Sequence, residues 1–92
     1  MTKIDKILER WQRGPAEVDK DEVLSVLDRY GLCYERKPGS HIVVHHNSLI
    51  GKQPFGAAGE FTLPVKGGKR VKGLYIKKFV LPAINIVVEA KE

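Results

Sequence analysis

Apolar residues recur along the chain with two periods, and these periods predict its helices and strands. Four residues near the N-terminus follow an i, i+3, i+4, i+7 pattern: Ile4, Ile7, Leu8 and Trp11. This spacing predicts an amphipathic helix behind a Thr2 cap, ended by "RGP" at 13–15. A second helix is predicted to begin at Asp19, with Glu22 placed for a capping box, and to stop at Gly31. Its apolar face consists of Val23, Val26, Leu27 and Tyr30.

Three extended segments follow the second helix. "LCYERK" (32–37) and "HIVVHHN" (41–47) flank the turn "PGS", in which proline presets φ and glycine supplies a positive φ, so they predict an antiparallel hairpin. In "EFTLPVK" (60–66), alternate residues are apolar, and Pro64 is compatible only with an edge strand. The residues expected to point inward are Phe61, Leu63 and Val65.

The last apolar stretch, from Val71 to about Val88, repeats every three or four residues and predicts a closing helix. Pro82 lies within it and removes one helical hydrogen bond, so a kink or break is expected near residues 78–81. The order of elements, helix, helix, strand, strand, strand, helix, predicts an α+β fold. Its core is a three-stranded antiparallel meander with helices packed on one face.

The chain length of 92 residues fits a single domain, with an N-terminal helix and linker over 1–15 and the core over 19–86. Residues 1–31 carry six Lys/Arg against seven Asp/Glu, whereas residues 32–92 carry ten against four. The net charge of +5 favours a polyanionic or acidic partner. The single cysteine, Cys33, and an N-terminus with charges among its apolar residues predict a cytoplasmic protein without a signal peptide or membrane span.

Three histidines lie on the predicted central strand. Since side chains alternate along a strand, Ile42 and Val44 are expected to face the helices, which leaves His41 on the open face with Val43 and His45. Two interpretations of His41 follow. It is either a solvated polar residue, or a proton donor and acceptor held on a rigid strand, because imidazole titrates near neutral pH.

Other chemistries fit this region poorly. On one strand, His41 and His45 lie roughly 13 Å apart, and His45 and His46 face opposite sides, so no metal site and no cofactor are expected. Ser40 and His41 are neighbours that point apart, which argues against a serine nucleophile. Cys33 is expected to be a small packing residue.

The segment "KGGKRVKGLYIKK" (66–78) holds six Lys/Arg, and no acidic residue occurs between Glu60 and Glu89. Such a run is either a solvated helix face or a phosphate-binding surface, because it combines glycines, lysines and the free N–H groups of a helix start. The preceding loop, "SLIGKQPFGAAG" (48–59), is long for a hairpin. Its apolar residues either pack under the loop or form a docking patch: Leu49, Ile50 and Phe55.

Two stretches, "YGLCYERKPGSHIVVHH" and "FTLPVKGGKRVKGLYIKK", resemble the HicA toxin family of bacterial toxin–antitoxin modules. The resemblance covers roughly residues 19–84, with Gly39, Ser40 and His41 in the place of the family's Gly-Ser-His. The chain departs from the family in its longer N-terminal helix, its extended loop after the second strand, and Lys66 where many members have histidine.

The resemblance implies a double-stranded-RNA-binding-domain-like fold and a toxin that cleaves mRNA and is neutralised by a HicB-like antitoxin. The implied catalytic residue is His41, acting without a metal or other cofactor. The residues expected to bind RNA are Ser40, Lys66, Lys69, Arg70, Lys72 and Lys77. The antitoxin is expected to bury His41 and to use Leu49, Ile50 and Phe55 as apolar anchors. The alternative is a non-catalytic module that binds RNA or a partner protein through the same basic surface.

Overall fold

The computed structural model describes residues 3–91, and they form an α+β fold. Helix α1 (Lys3–Gln12) buries Ile7 and Trp11, as predicted, whereas the proposed cap Thr2 lies outside the described residues. Helix α2 (Lys20–Arg29) is capped by Asp19, whose carboxylate accepts the N–H of Asp21 at 2.8 Å. Its core-facing residues Val23, Leu24, Val26 and Leu27 are buried.

The expected capping box does not form at the start of α2. The Glu22 carboxylate instead accepts a hydrogen bond from Trp11 Nε1 at 2.9 Å and pairs with the guanidinium of Arg10. The prediction was wrong because the Glu22 carboxylate serves as the acceptor that the buried indole of Trp11 needs. This pairing ties α1 to α2. Gly31 has φ +75° and follows α2, as predicted for its left-handed stop.

A three-stranded antiparallel sheet forms the centre of the fold, in the order β2 (Cys33–Lys37), β3 (His41–His45), β4 (Glu60–Pro64). The meander is confirmed, with β3 central and Pro64 on an edge strand. Ile42 and Val44 are buried, whereas His41 and His45 are exposed. The inward residues Phe61, Leu63 and Val65 are also buried. Helices therefore cover one face of the sheet, and the face that bears His41 is open.

A second, two-stranded sheet was not predicted. Strand β1 (Glu17–Asp19) pairs antiparallel with β5 (Arg70–Lys72), with Val18 opposite Val71. The closing helix was predicted from Val71, but that residue lies in β5 and helical structure begins at Gly73. A Cβ at Gly73 would lie 1.8 Å from the carbonyl oxygen of Pro15, so only glycine allows the two chain segments to approach this closely.

The closing helical stretch has three parts: α3 (Gly73–Tyr75), a π-helical segment (Ile76–Val80) and α4 (Leu81–Lys91). The N–H of Leu81 donates to the carbonyl of Ile76, five residues back. Pro82 follows directly, and its ring would clash with the carbonyl of Lys78 in a regular helix. The wider π turn relieves this clash, which confirms the predicted irregularity near residues 78–81. Within residues 3–91, no helix has both the length and the apolar character that a bilayer span requires.

The loop between β3 and β4 contributes to the core. It opens with a 3₁₀ turn (Asn47–Leu49) that buries Leu49 fully, and Phe55 is 4% exposed. The Phe55 ring lies 5.4 Å from that of Phe61, which stacks in turn on Phe79 at 5.8 Å. Of the three proposed anchors, only Ile50 is exposed, at 53%. The docking role expected for Leu49 and Phe55 is therefore wrong, because both side chains fill the core beneath the loop.

A pair of truncations in this loop tests that assignment. Phe55→Ala should lower the free energy of unfolding by about 3–5 kcal/mol, because it empties a packed aromatic site. Ile50→Ala, in the same loop, should change it by less than about 0.5 kcal/mol, because that side chain is mostly in water. Urea unfolding of the two variants beside the wild type measures both values. Equal costs would mean that Phe55 is not a core residue.

Candidate functional site

The open face of the central sheet presents three cross-strand rows of side chains. The row nearest the β2–β3 turn joins Lys37, His41 and Pro64, since these residues are register partners. The row at the other end joins Cys33, His45 and Glu60. His41 and His45 thus lie at opposite ends of one strand, in separate surroundings. Cys33 is exposed in its row, so the expectation that it is a packing residue was wrong.

The turn that precedes His41 has an unusual backbone. Gly39 has φ +84°, as expected, but Ser40 also has a positive φ, +62°, which is uncommon for a residue with a side chain. The carbonyl of Ser40 accepts the N–H of Val65 at 2.7 Å, so pairing with the end of β4 holds it in this conformation. A Cβ on Gly39 would lie 3.6 Å from His41 Nδ1, which shows that the imidazole lies beside the turn.

A small pocket of about 150 Å³ opens at this end of the sheet, and we call it the hairpin pocket. Its polar lining consists of Lys20, Arg36, Lys37, Ser40 and His41. Its remaining lining consists of Ile42, Val65 and Gly68. Its lining residues include three basic residues, a serine and a histidine and no acidic residue, although Lys37 Nζ also lies 3.0 Å from Glu35 Oε2. This combination suits an anion of the size of a phosphate group.

The predicted basic run is less free than its sequence indicates. Lys66 Nζ lies 3.3 Å from Glu17 Oε2, and Lys72 is the cross-strand partner of the same Glu17. Arg70 is likewise opposite Asp19. Strand β1 therefore places carboxylates beside the cations of β5, which reduces their attraction for a polyanion.

The proposed RNA-binding residues consequently do not form one cluster. Ser40 lines the hairpin pocket with His41, and Lys69 lies nearby in the turn 66–70. That turn also contains Gly68, which reaches the hairpin pocket. Lys77 is exposed on the π-helical segment and does not line the pocket.

The other two histidines have separate surroundings. His46 Nδ1 accepts the N–H of Ser48 at 3.0 Å and so caps the 3₁₀ turn. His45 lines a wide depression of about 430 Å³ that also contains Glu35 and Glu60. A hydrogen bond from Lys37 and then its positive charge lower the pKa of Glu35 below its usual value, with a smaller contribution from His45. Within residues 3–91, no three His, Cys, Asp or Glu side chains come together as metal ligands.

Three cations of the hairpin pocket were missed from the sequence. Arg36 and Lys37 precede the Pro-Gly-Ser turn. Lys37 is the register partner of His41, whereas Arg36 is opposite Ile42 and reaches the pocket from the other face of the sheet. The predicted hairpin was therefore enough to place Lys37 beside His41 from the sequence. Lys20 was not recognisable in this way, because it reaches the pocket only through the β1–β5 pairing, which places its N–H 2.8 Å from the carbonyl of Lys69.

No protein-family model, curated protein or solved structure matches the chain. The resemblance of residues 19–84 to HicA toxins therefore stays a prediction from the sequence. The functional assignment rests on the residues of the hairpin pocket.

Proposed function

We propose that the protein is the toxin component of a toxin–antitoxin module and that it cleaves mRNA at the hairpin pocket without a metal ion. The single observation that carries this proposal is the position of His41, which lines one pocket together with Lys20, Arg36 and Lys37. An RNA phosphate drawn to Lys20, Arg36 and Lys37 would come next to an imidazole. We propose a cytoplasmic location, where mRNA is present.

The reaction that fits these groups is an internal transphosphorylation. The ribose 2′-oxygen attacks the adjacent phosphorus and loses its proton, and the bond from phosphorus to the 5′-oxygen breaks, so the products are a 2′,3′-cyclic phosphate and a 5′-hydroxyl. His41 acts either as the base that takes the 2′ proton or as the acid that protonates the 5′-oxygen. The pocket cations stabilise the extra negative charge on the phosphorus oxygens in the transition state.

The same pocket supports a second candidate function, a non-catalytic module that binds RNA. The observation that favours it is that His41 is the only imidazole or carboxyl group among the residues that line the pocket. Catalysis with both an acid and a base would therefore need a lysine of the pocket or a group of the RNA itself. In this alternative, His41 contributes to binding, and no bond is broken.

An acidic antitoxin is the protein partner that we propose for this surface. Its carboxylates would pair with Arg36 and Lys37, and charge pairs of this kind speed association. Of the three loop residues expected to anchor the antitoxin, Ile50 is exposed and available for apolar contact, whereas Leu49 and Phe55 are buried. The open reading frame next to this gene tests the pairing, because the proposal expects it to encode a small acidic protein.

The decisive experiment compares two histidines of one strand. His41→Ala should lower the rate of RNA cleavage in EDTA by about 10²–10⁴-fold, the usual contribution of a general acid or base. His45→Ala is the matched control, because that residue is also exposed on the same face but lies outside the pocket, and it should retain activity. Gel analysis of the products should show cyclic phosphate ends.

Three results would contradict the nuclease proposal. They are a folded His41→Ala protein that cleaves as fast as the wild type, equal losses in both variants, and a wild-type activity that EDTA abolishes. RNA binding by the wild type without any cleavage would favour the binding module. Growth of cells that express the wild type and the His41→Ala variant gives the same comparison in vivo, and only the wild type should arrest growth.

A further inference from the structure

A second depression adjoins the hairpin pocket. It has a volume of about 300 Å³ and contains Lys20, Gly68, Lys69 and Arg70, together with Asp19 and Asp21. Lys20 and Gly68 line both depressions, so the two are neighbours with a shared wall. We call the second one the turn pocket, because the glycine turn 66–70 forms its side.

The backbone fixes how the two pockets lie relative to each other. Lys20 is the first residue of α2, and its N–H donates to the carbonyl of Lys69 at 2.8 Å. The turn itself is closed by two backbone hydrogen bonds between Lys66 and Arg70, at 2.6 and 3.0 Å. Lys20 is half-buried, whereas the lysines of the basic run are exposed. Its side chain therefore has less freedom than theirs, and it lies between the two pockets.

The size and lining of the hairpin pocket limit what it accepts. Its volume of about 150 Å³ is enough for a phosphate group. No Phe, Tyr or Trp lines either pocket, so neither offers a ring on which a base could stack. A bound strand would thus place its phosphates in the pockets and its bases outside them.

The charges of the turn pocket are mixed, but one carboxylate is already used. Asp19 accepts the N–H of Asp21 as the cap of α2 and lies opposite Arg70 in the β1–β5 ladder. Lys20, Lys69 and Arg70 outnumber Asp19 and Asp21 in this lining by one charge, which leaves a small positive excess to attract an anion. The turn pocket should therefore hold a phosphate more weakly than the hairpin pocket, which has no acidic residue in its lining.

We propose that the two pockets bind successive phosphates of one RNA strand, with Lys20 contacting both. This deepens the proposed function and rests on it, since the phosphate in the hairpin pocket is the one next to His41. The turn pocket then takes the neighbouring phosphate through Lys69. Because the protein would contact only the sugar-phosphate backbone of the RNA, we expect it to bind single-stranded RNA with little preference among base sequences.

The test uses short RNAs that cannot be cleaved, because their 2′-hydroxyls are methylated. One is a dinucleotide with a single internucleotide phosphate, and the others carry one more phosphate at the 5′ or the 3′ end. NMR titration of the full chain at low salt gives each affinity. In the wild type, the added phosphate should strengthen binding by about 3–10-fold at one of the two ends, as expected for one more charged contact.

Three glutamine variants separate the two pockets. Lys69→Gln should remove the gain from the added phosphate and leave the affinity for the simple dinucleotide unchanged. Lys20→Gln should weaken all the ligands, because it lines both pockets. Lys78→Gln is the control: it makes the same charge change at an exposed residue that lines neither pocket, and it should alter nothing.

Equal affinities with and without the added phosphate would overturn the proposal, as would the absence of binding to every dinucleotide. A Lys20→Gln effect no larger than that of Lys78→Gln would also overturn it. These outcomes are distinct from failure of the nuclease proposal, because the ligands cannot react. A protein that shows the full binding pattern yet cleaves no RNA would keep the two phosphate pockets and lose only the catalytic role of His41.

Discussion

A three-residue antiparallel pairing, β1 with β5, determines where positive charge is available on this protein. Val18 and Val71 are both buried and face each other in this ladder, so the pairing is held by apolar contact as well as by backbone hydrogen bonds. It sets the start of α2 against the glycine turn 66–70, and through Lys20 it joins that turn to the hairpin pocket. The same ladder places Glu17 and Asp19 opposite Lys72 and Arg70. Pairing of β1 with β5 thus brings Lys20 to the hairpin pocket. It also places carboxylates opposite the cations of β5, which weakens their attraction for a polyanion.

The main elements were predictable because their side chains repeat over enough residues to show a period. Alternation along β3 correctly assigned Ile42 and Val44 to the core and His41 to the open face. Strands β1 and β5 have three residues each, which is too short for any period to appear. The apolar residue at Val71 was therefore counted with the helix that follows it. The burial of Leu49 and Phe55 could not be predicted for another reason. Nothing local in the sequence distinguishes an apolar loop residue that packs inward from one that faces water.

The candidate site was predictable only where it is local to the hairpin. His41, Ser40 and the turn between β2 and β3 could be identified from the sequence, and register then adds Lys37. Lys20 and Gly68 join the pocket from elements distant in the chain, and no sequence pattern links them to His41. The positive φ of Ser40 is likewise a tertiary effect, because pairing of its carbonyl with Val65 sustains a conformation that costs about 1–2 kcal/mol for a residue with a Cβ.

The nuclease and the binding module share one physical claim, which is that phosphate binds at the hairpin end of the sheet and not along the whole basic run. The salt dependence of RNA affinity tests it in two variants that each remove two positive charges. Lys20→Gln with Arg36→Gln removes two pocket cations that form no ion pair within residues 3–91, and it should reduce the slope of log affinity against log salt by roughly 1.4, about 0.7 for each single-strand phosphate that the protein no longer neutralises. Lys66→Gln with Lys72→Gln should reduce the slope by less than half of that amount, because Glu17 lies beside both lysines and they do not line the pocket. The reverse result, a large decrease of slope in the second variant and none in the first, would contradict the account.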